Sequence, residues 1–246
     1  MVKKELYDEE FWEEKRDDLS ALLWMPKIKS LLDTIYIKAG RLRSKDQAKW
    51  IKKVYTPKKI LEIGFGYGGG IIHWHKKGYD INGIEPDKRS VDNINKKIGK
   101  KIVFCTGIEN LKTKKKYNLI ILSHVFEHLP DLNNFFRTVK KLQKKGDAIF
   151  IEVPNCENKE VLGESKSNKA HVHHFTTRSL SKVFQKNGYN KLKIELLTSK
   201  IDLITKANTP IYTRFVRVAN VILAKNKSVK STSKKADTIR LIATKK

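Results

Sequence analysis

The stretch ILEIGFGYGGG at 60–70 places Gly64, Gly66 and Gly68 directly after an apolar run that reads as a strand and ahead of a segment that reads as a helix. Glycines there permit a tight turn and let the backbone approach a ligand, while the unpaired N–H groups of a helix start favour an anion such as a carboxylate or pyrophosphate. Gly64, Gly66 and Gly69 also satisfy G-x-G-x-x-G, and Glu85 ends the next apolar run, 21 residues after Gly64. A carboxylate so placed suits a ribose hydroxyl of either a nicotinamide or an adenosyl cofactor. Glu62 stands two residues before the first glycine on an otherwise apolar strand. An unpaired buried carboxylate is costly, so a ligand ammonium group is its natural partner.

Five of the seven histidines fall in two groups, His124 with His128 and His171, His173 with His174. Histidine titrates near neutrality, so any of them can accept a phenol or alcohol proton. SHVFEH also reads His-x-x-Glu-His, a spacing known from zinc sites on helices. With Pro130 close behind, the segment reads as a short loop rather than a long helix, which argues against a zinc protease.

The elements that must position these residues alternate. Residues 8–54 have helical periodicity, with Leu19, Leu22 and Leu23, then Leu31, Leu32 and Ile35, and with Pro26 as a break. They form an N-terminal helical appendage over 1–57, ahead of a domain at 58–246. From Lys58 onward short apolar runs (KKILEIGF, YDINGIE, KIVFC, YNLIILS, DAIFIEV) alternate with amphipathic stretches, which signals an α/β fold whose parallel sheet is buried on both faces. Asp131 reads as the N-cap of a helix over 131–144 that Gly146 stops, with Leu132, Phe135, Phe136, Val139 and Leu142 on one face. A long polar loop is expected from Pro154 to about His174, then a helix with Thr176 as N-cap and Phe175 packing on Leu180. Strands at 191–197 and 237–245 follow, separated by an insertion, 198–236, that holds IYTRFVRVANVILA and a Lys/Ser-rich stretch at 225–235. Both histidine groups then belong at the carboxyl ends of strands, where ligands bind in open α/β sheets.

These motifs, in this order, resemble the class I S-adenosylmethionine-dependent methyltransferases. The E-x-G-x-G-x-G pattern of Glu62 to Gly68, Glu85 ending the second strand and SHVFEHLPDL after the fourth carry the likeness, and HHFTTRSLSKVFQKNGY at 173–189 is similar to the branch containing quinone-pathway and glycan-modifying O-methyltransferases. The resemblance covers roughly 58–198 and the last strand. It implies a Rossmann-like, doubly wound, mainly parallel seven-stranded sheet with the last strand antiparallel. It implies S-adenosyl-L-methionine as cofactor, with Glu62, Gly64, Gly66 and Gly68 around its methionine end, Glu85 on the ribose diol and Ser123 at the end of the fourth strand. Where relatives often carry an acidic residue near the adenine, this chain has Thr106, Gly107 and Ile108, so backbone groups around Ile108, or Glu109, must serve. The implied activity is O-methylation of a hydroxyl on a small molecule or glycan, with the base drawn from His124, His128, His171 and His173. Some quinone-type relatives use Glu-x-x-Glu-His here for a divalent ion. This chain has His124 in the first position, with Glu127 and His128 matching, and the expectation is no metal, the pair orienting the loop by hydrogen bonds.

The rival readings are an RNA or protein methyltransferase, a non-catalytic cofactor-binding partner protein and, more distantly, a nicotinamide oxidoreductase. The Asn-Pro-Pro-Tyr type of amino-group motif is absent after the fourth strand, which disfavours methylation of base amino groups. The net charge of +26 raises nucleic acid as a partner, yet only nine of the 52 basic residues are Arg, the residue of bidentate phosphate and base recognition. Moreover Lys58–Lys59, Lys76–Lys77, Lys100–Lys101, Lys112 to Lys116 and Lys144–Lys145 each precede a parallel strand, so they gather at the sheet edge opposite the ligand. Only Arg41, Arg43, Lys159, Lys166, Lys169 and 225–235 are expected within reach of a polyanionic acceptor. The insertion, along with the loop 154–174, is expected to overhang the ligand face, with IYTRFVRVANVILA as acceptor pocket, homodimer contact, membrane-surface segment or a helix packed on the core. Two cysteines, Cys105 and Cys156, cannot make a disulfide framework. The acidic start MVKKELYDEEFWEE, and the absence of a run near the ~18 apolar residues of a membrane span, point to a soluble cytoplasmic protein.

Overall fold

A computed structural model describes residues 26–199, 228–232 and 235–246. Helix α1 (Pro26–Ile51) leads into β1 (Lys59–Ile63), α2 (Gly69–Lys76), β2 (Asp80–Glu85), α3 (Lys88–Ile98), β3 (Val103–Cys105), β4 (Leu119–Ser123), α4 (Leu132–Leu142), β5 (Ala148–Pro154), α5 (Lys159–Ser167), α6 (Thr177–Lys186), β6 (Tyr189–Ser199), β7 (Ser228–Lys230) and β8 (Thr238–Lys245). Single 3-10 turns stand at Ile108–Asn110 and Phe126–His128. Among the described residues the strands form one sheet in the order β3-β2-β1-β4-β5-β8-β6-β7. Strands β1 to β5 are mutually parallel, and β8 runs antiparallel between β5 and β6. The expected seven strands are present with the last one antiparallel. The three-residue β7 adds an eighth at the edge, inside the stretch read as an insertion. The expected helix ahead of Pro26 and the segment IYTRFVRVANVILA lie outside the described residues.

The apolar runs of β1, β4 and β5 are buried nearly end to end because helices cover both faces. On one face Ile37, Trp50 and Ile51 of α1 join Ile71, Ile72 and Trp74 of α2 and Val91 and Ile94 of α3. On the other, Phe135, Phe136, Val139 and Leu142 of α4 pack with Leu180 and Phe184 of α6. At the centre of this second layer Phe126 stacks on Phe175 at 5.2 Å and meets Phe135 edge-on at 5.3 Å. Burying each such ring stabilises by about 1.5–3 kcal/mol, so the turn carrying Glu127 and His128 is anchored by its neighbour in the chain.

The predicted caps are present. Asp131 accepts from the Asn134 N–H at 2.9 Å, and Thr176 forms a capping box with Ser179. Helix α4 ends at Leu142, earlier than Gly146, which takes a left-handed conformation in the turn into β5. The segment after Pro154 departs from the expected loop, since α5 occupies its middle, capped by Asn158, whose side chain accepts from the Glu160 N–H. Of that helix only Ser165 is buried, so no apolar stripe announces it. Among the described residues no helix is long and apolar enough to cross a membrane.

Candidate functional site

The strand order reverses between β1 and β4, and the loops that leave their carboxyl ends define the crevice. Gly64, Gly66 and Gly68 all have positive φ, at 68°, 51° and 74°. Gly64 could not be otherwise, because a Cβ there would lie 2.4 Å from Val125 Cγ2 of the loop after β4. Gly66 differs: nothing lies within 4 Å of the position its Cβ would take, so this part of the loop opens outward. Its N–H donates to Glu85 Oε2 at 2.9 Å, and the other Glu85 oxygen accepts from the Asp87 N–H at 3.3 Å. Burial raises the pKa of the Glu85 carboxyl, and these two donors pull it back.

Glu62 sits beneath the first turn of α2, so close that a Cβ on Gly70 would fall 2.2 Å from its Oε1. It is buried, and its Oε2 has no hydrogen-bond partner. Burial, with the nearby Glu85 charge, pushes its pKa up to about 8. The carboxyl lines a cavity of about 250 Å³. Helix α1 builds one wall of that cavity with Tyr36, Ala39, Gly40, Arg43, Ser44 and Gln47, while Gly64, Phe65, Tyr67, Gly69, Gly70 and Ser123 build the rest. Tyr36 stacks on Tyr67 at 4.6 Å across it. The wall stands close because Gly40 meets Gly69; a Cβ on Gly69 would come within 2.6 Å of the α1 backbone.

Ser123 connects the cavity to a buried polar row. Its hydroxyl accepts from Gln47 Nε2 at 3.0 Å and donates to Glu152 Oε2 at 2.9 Å, and Gln47 Nε2 also donates to that carboxylate oxygen. Arg240 Nε donates to Glu152 Oε1 at 2.6 Å, and its Nη2 reaches Asp46 of α1 at 3.0 Å. Burial alone would raise the Glu152 pKa, but Arg240, Arg43, His124 and the Gln47 bond outweigh it and bring it down to about 2. This row was not anticipated from sequence. Its signal was one acidic residue in AIFIEVP and one basic residue in TIRLIAT, each alone in an apolar strand.

The expected histidines separate. His124, at φ 55°, donates its N–H to Glu152 O at 2.9 Å and places Nδ1 3.6 Å from Glu127 Oε1. Burial opposes charge on His124, yet the Glu127 carboxylate outweighs it and raises its pKa. His128 donates from Nδ1 to Ala170 O at 2.9 Å, and its ring meets that of His171 edge-on at 4.6 Å. His171 Nδ1 and His174 Nδ1 each lie 2.9 Å from Ser165 Oγ. His173 is turned elsewhere: its Nε2 donates to Leu129 O at 2.9 Å, bracing the two loops. Ile108 buries its side chain in the core. The exposed lysine pairs at 58–59, 76–77, 100–101 and 144–145 all precede parallel strands and so occupy the other sheet edge.

Comparison with known proteins adds three findings. Over 125 residues the chain is 32% identical to the ubiquinone biosynthesis O-methyltransferase of Pelagibacter ubique (strain HTCC1062), covering 48% of this chain and 49% of that protein. It is 27% identical over 124 residues to the protein of that name from Rickettsia bellii (strain OSU 85-389), covering 46% and 50%. The chain thus spans about half the length of the curated relatives it matches. Among solved structures, a SAM-dependent methyltransferase from Archaeoglobus fulgidus superposes with a TM-score of 0.61 at 18% identity, over 84% of this chain and 94% of that one. The geranyl diphosphate C-methyltransferase of Streptomyces coelicolor A3(2) does so with 0.58 at 10% identity, over 81% and 77%. At such identities the likeness is one of fold. A model of the methyltransferase domain matches residues 40–194, from Gly40 on the cavity wall through the glycine loop and both histidine groups, and on that match the chain belongs to the methyltransferase-domain family.

Proposed function

We propose that the protein is an S-adenosylmethionine-dependent methyltransferase acting on a hydroxyl of a small molecule. The observation that carries this reading is that Glu62 and Arg43 both line one cavity. A buried carboxyl with an unpartnered oxygen and a guanidinium match the two ends of a zwitterionic amino acid. In this reading Glu62 takes the ammonium group and Arg43 the carboxylate of the methionine moiety. The backbone of Gly64, Gly66 and Gly68 borders the cofactor, Glu85 accepts from the ribose diol and main-chain groups at Ile108 border the adenine. Ser123 closes the floor. Helix α1 is then a wall of the methyltransferase site, and the division at 57/58 marks where the sheet begins.

When bound, the cofactor supplies a sulfonium methyl group for in-line displacement by an acceptor oxygen. Holding that oxygen in line contributes most of the acceleration, on the order of 7–11 kcal/mol for well-oriented groups. His124, held beside Glu127, is a base for the acceptor proton, because the carboxylate stabilises the imidazolium that forms. His128 and His171 border the same loop, and His173 braces it. The names of the ubiquinone biosynthesis relatives support a small, hydroxyl-bearing acceptor.

Calorimetric titration of the purified chain with S-adenosylmethionine, S-adenosylhomocysteine and NAD tests the cofactor assignment. Binding of the first two, lost in Glu62→Gln, is expected. Binding of NAD alone would point to an oxidoreductase. Transfer of a labelled methyl group to phenols, glycans and RNA, run side by side, then distinguishes the acceptor classes.

A further inference from the structure

Gln47 of α1 is buried, and it lines the cavity together with Glu62. Its Nε2 donates to Ser123 Oγ at 3.0 Å and also to Glu152 Oε2. A side-chain amide has nearly the same outline either way round, so its neighbours decide which end faces which. Here Glu152 decides. Burial works against ionisation of this carboxyl, yet Arg240 at its other oxygen, with Arg43 and His124, holds its pKa down to about 2. An ionised carboxylate accepts and cannot donate, so only the NH2 end of Gln47 can face it.

The carbonyl end of Gln47 is left over. Among the described residues no group donates to its Oε1. The Ser123 hydroxyl is already committed, accepting from Gln47 and donating to Glu152 Oε2 at 2.9 Å. Two residues that line the cavity therefore each carry an acceptor with no donor, Gln47 at Oε1 and Glu62 at Oε2. An ammonium group is the complement of such a pair, since it has three N–H bonds to place and no acceptor of its own. The carboxylate answers its charge, and the neutral carbonyl adds a second direction that one ion pair does not supply.

We propose that Gln47 is a specificity residue of the cofactor site, its Oε1 accepting alongside Glu62 from the ligand's α-ammonium group, and that Glu152 and Arg240 are positioning residues that keep the amide carbonyl turned to the cavity. The identity of the ligand rests on the methyl-transfer reading. The buried row thereby gains a task beyond holding α1: charges on β5 and β8 set a hydrogen-bond direction on a helix from the other end of the chain. Glutamate could not replace Gln47, because a second carboxylate would face that of Glu152. Ser123, expected at the cofactor, acts one step removed, as a hydroxyl on which the amide rests.

The test is calorimetric titration of the full chain with S-adenosylhomocysteine and with its deamino analogue, which keeps the carboxylate and lacks only the ammonium group. The wild-type chain is expected to prefer S-adenosylhomocysteine by tenfold or more. In Gln47→Met that preference should fall at least fivefold, through weaker binding of S-adenosylhomocysteine, with affinity for the analogue changed by less than twofold. Glu152→Gln lets the Gln47 amide turn either way and should lower the preference in the same direction. It gives the answer should Gln47→Met misfold, with circular dichroism confirming the fold of each. An unchanged preference in the folded variants overturns the proposal, and so do equal losses for both ligands, which mark a structural role alone. A wild-type chain that binds neither ligand ends the methyl-transfer reading and this inference with it. If the wild-type chain shows the preference and the folded variants keep it, that reading stands and only the role of Gln47 falls.

Discussion

Arg240 of β8 stands directly opposite Glu152 of β5, and its Nε and Nη2 both reach the same carboxylate oxygen, at 2.6 and 2.5 Å. The pair is buried, and it is joined through Ser123 and Gln47 to the cavity and through Asp46 to α1. Charge on two strands therefore holds a helix in position over a site that neither strand lines.

Arg240→Met removes the guanidinium that pairs directly with the buried Glu152 carboxylate. A loss of about 3–5 kcal/mol in stability is expected, measured by urea denaturation. The double variant Arg240→Met with Glu152→Gln should recover part of it. Equal losses in the two variants would mean that the ion pair itself contributes nothing specific.

The same carboxylate sets an acid limit. Its folded pKa, about 2, lies below the ordinary carboxylate value, so its contribution is present at neutral pH and is lost as pH falls from about 4.5 towards 2. In Glu152→Gln the acid limb of a stability-against-pH curve should be shallower. An unchanged limb would assign acid unfolding to other groups.

Glu62 has the opposite sign. A folded pKa near 8 means that its proton favours the native state below pH 4.5, and that this advantage is lost as pH rises through 8. Without ligand, Glu62→Gln is expected to raise the melting temperature at pH 8 relative to the wild-type chain and to change it little at pH 4.5. Affinity of the wild-type chain for S-adenosylmethionine should grow from pH 6 to pH 8, because the carboxyl must lose its proton to pair with an ammonium group. A flat affinity profile would remove Glu62 from that role.

Two glycines separate backbone strain from lost space. Gly66→Ala has room for its methyl group but keeps a left-handed φ, so a stability cost of about 1–2 kcal/mol is expected, with ligand binding reduced by the methyl group. Gly70→Ala has no room, since its Cβ would overlap the Glu62 carboxyl. It should eliminate cofactor binding even where the chain still folds, which calorimetry and circular dichroism together will show.

The parts legible in the sequence share one property: a local pattern dictates them. Continuous apolar runs fixed the parallel strands, Asp131 and Thr176 announced their helices, and the E-x-G-x-G-x-G loop with Glu85 marked the ligand edge. What escaped depends on distant partners. Helix α5 buries only Ser165, so periodicity could not reveal it. Gln47 reads as an ordinary surface position of a helix until α1 is seen lying on the cavity, and Arg43, expected only within reach of a polyanionic acceptor, lines that cavity with Glu62. His171 and His173, two residues apart, would point the same way from an extended segment. The irregular backbone before α6 instead sends one to Ser165 and the other to Leu129.

The contact of Gly40 with Gly69 makes α1 and the first turn of α2 a single mechanical unit, backbone against backbone with no side chain between them to act as a cushion. Lifting α1 to admit a ligand therefore disturbs the end of the glycine loop in the same motion, and a ligand that stiffens the loop also clamps the helix. Slowed deuterium uptake at the α1 amides is thus a direct gauge of cofactor occupancy, readable before any acceptor has been identified.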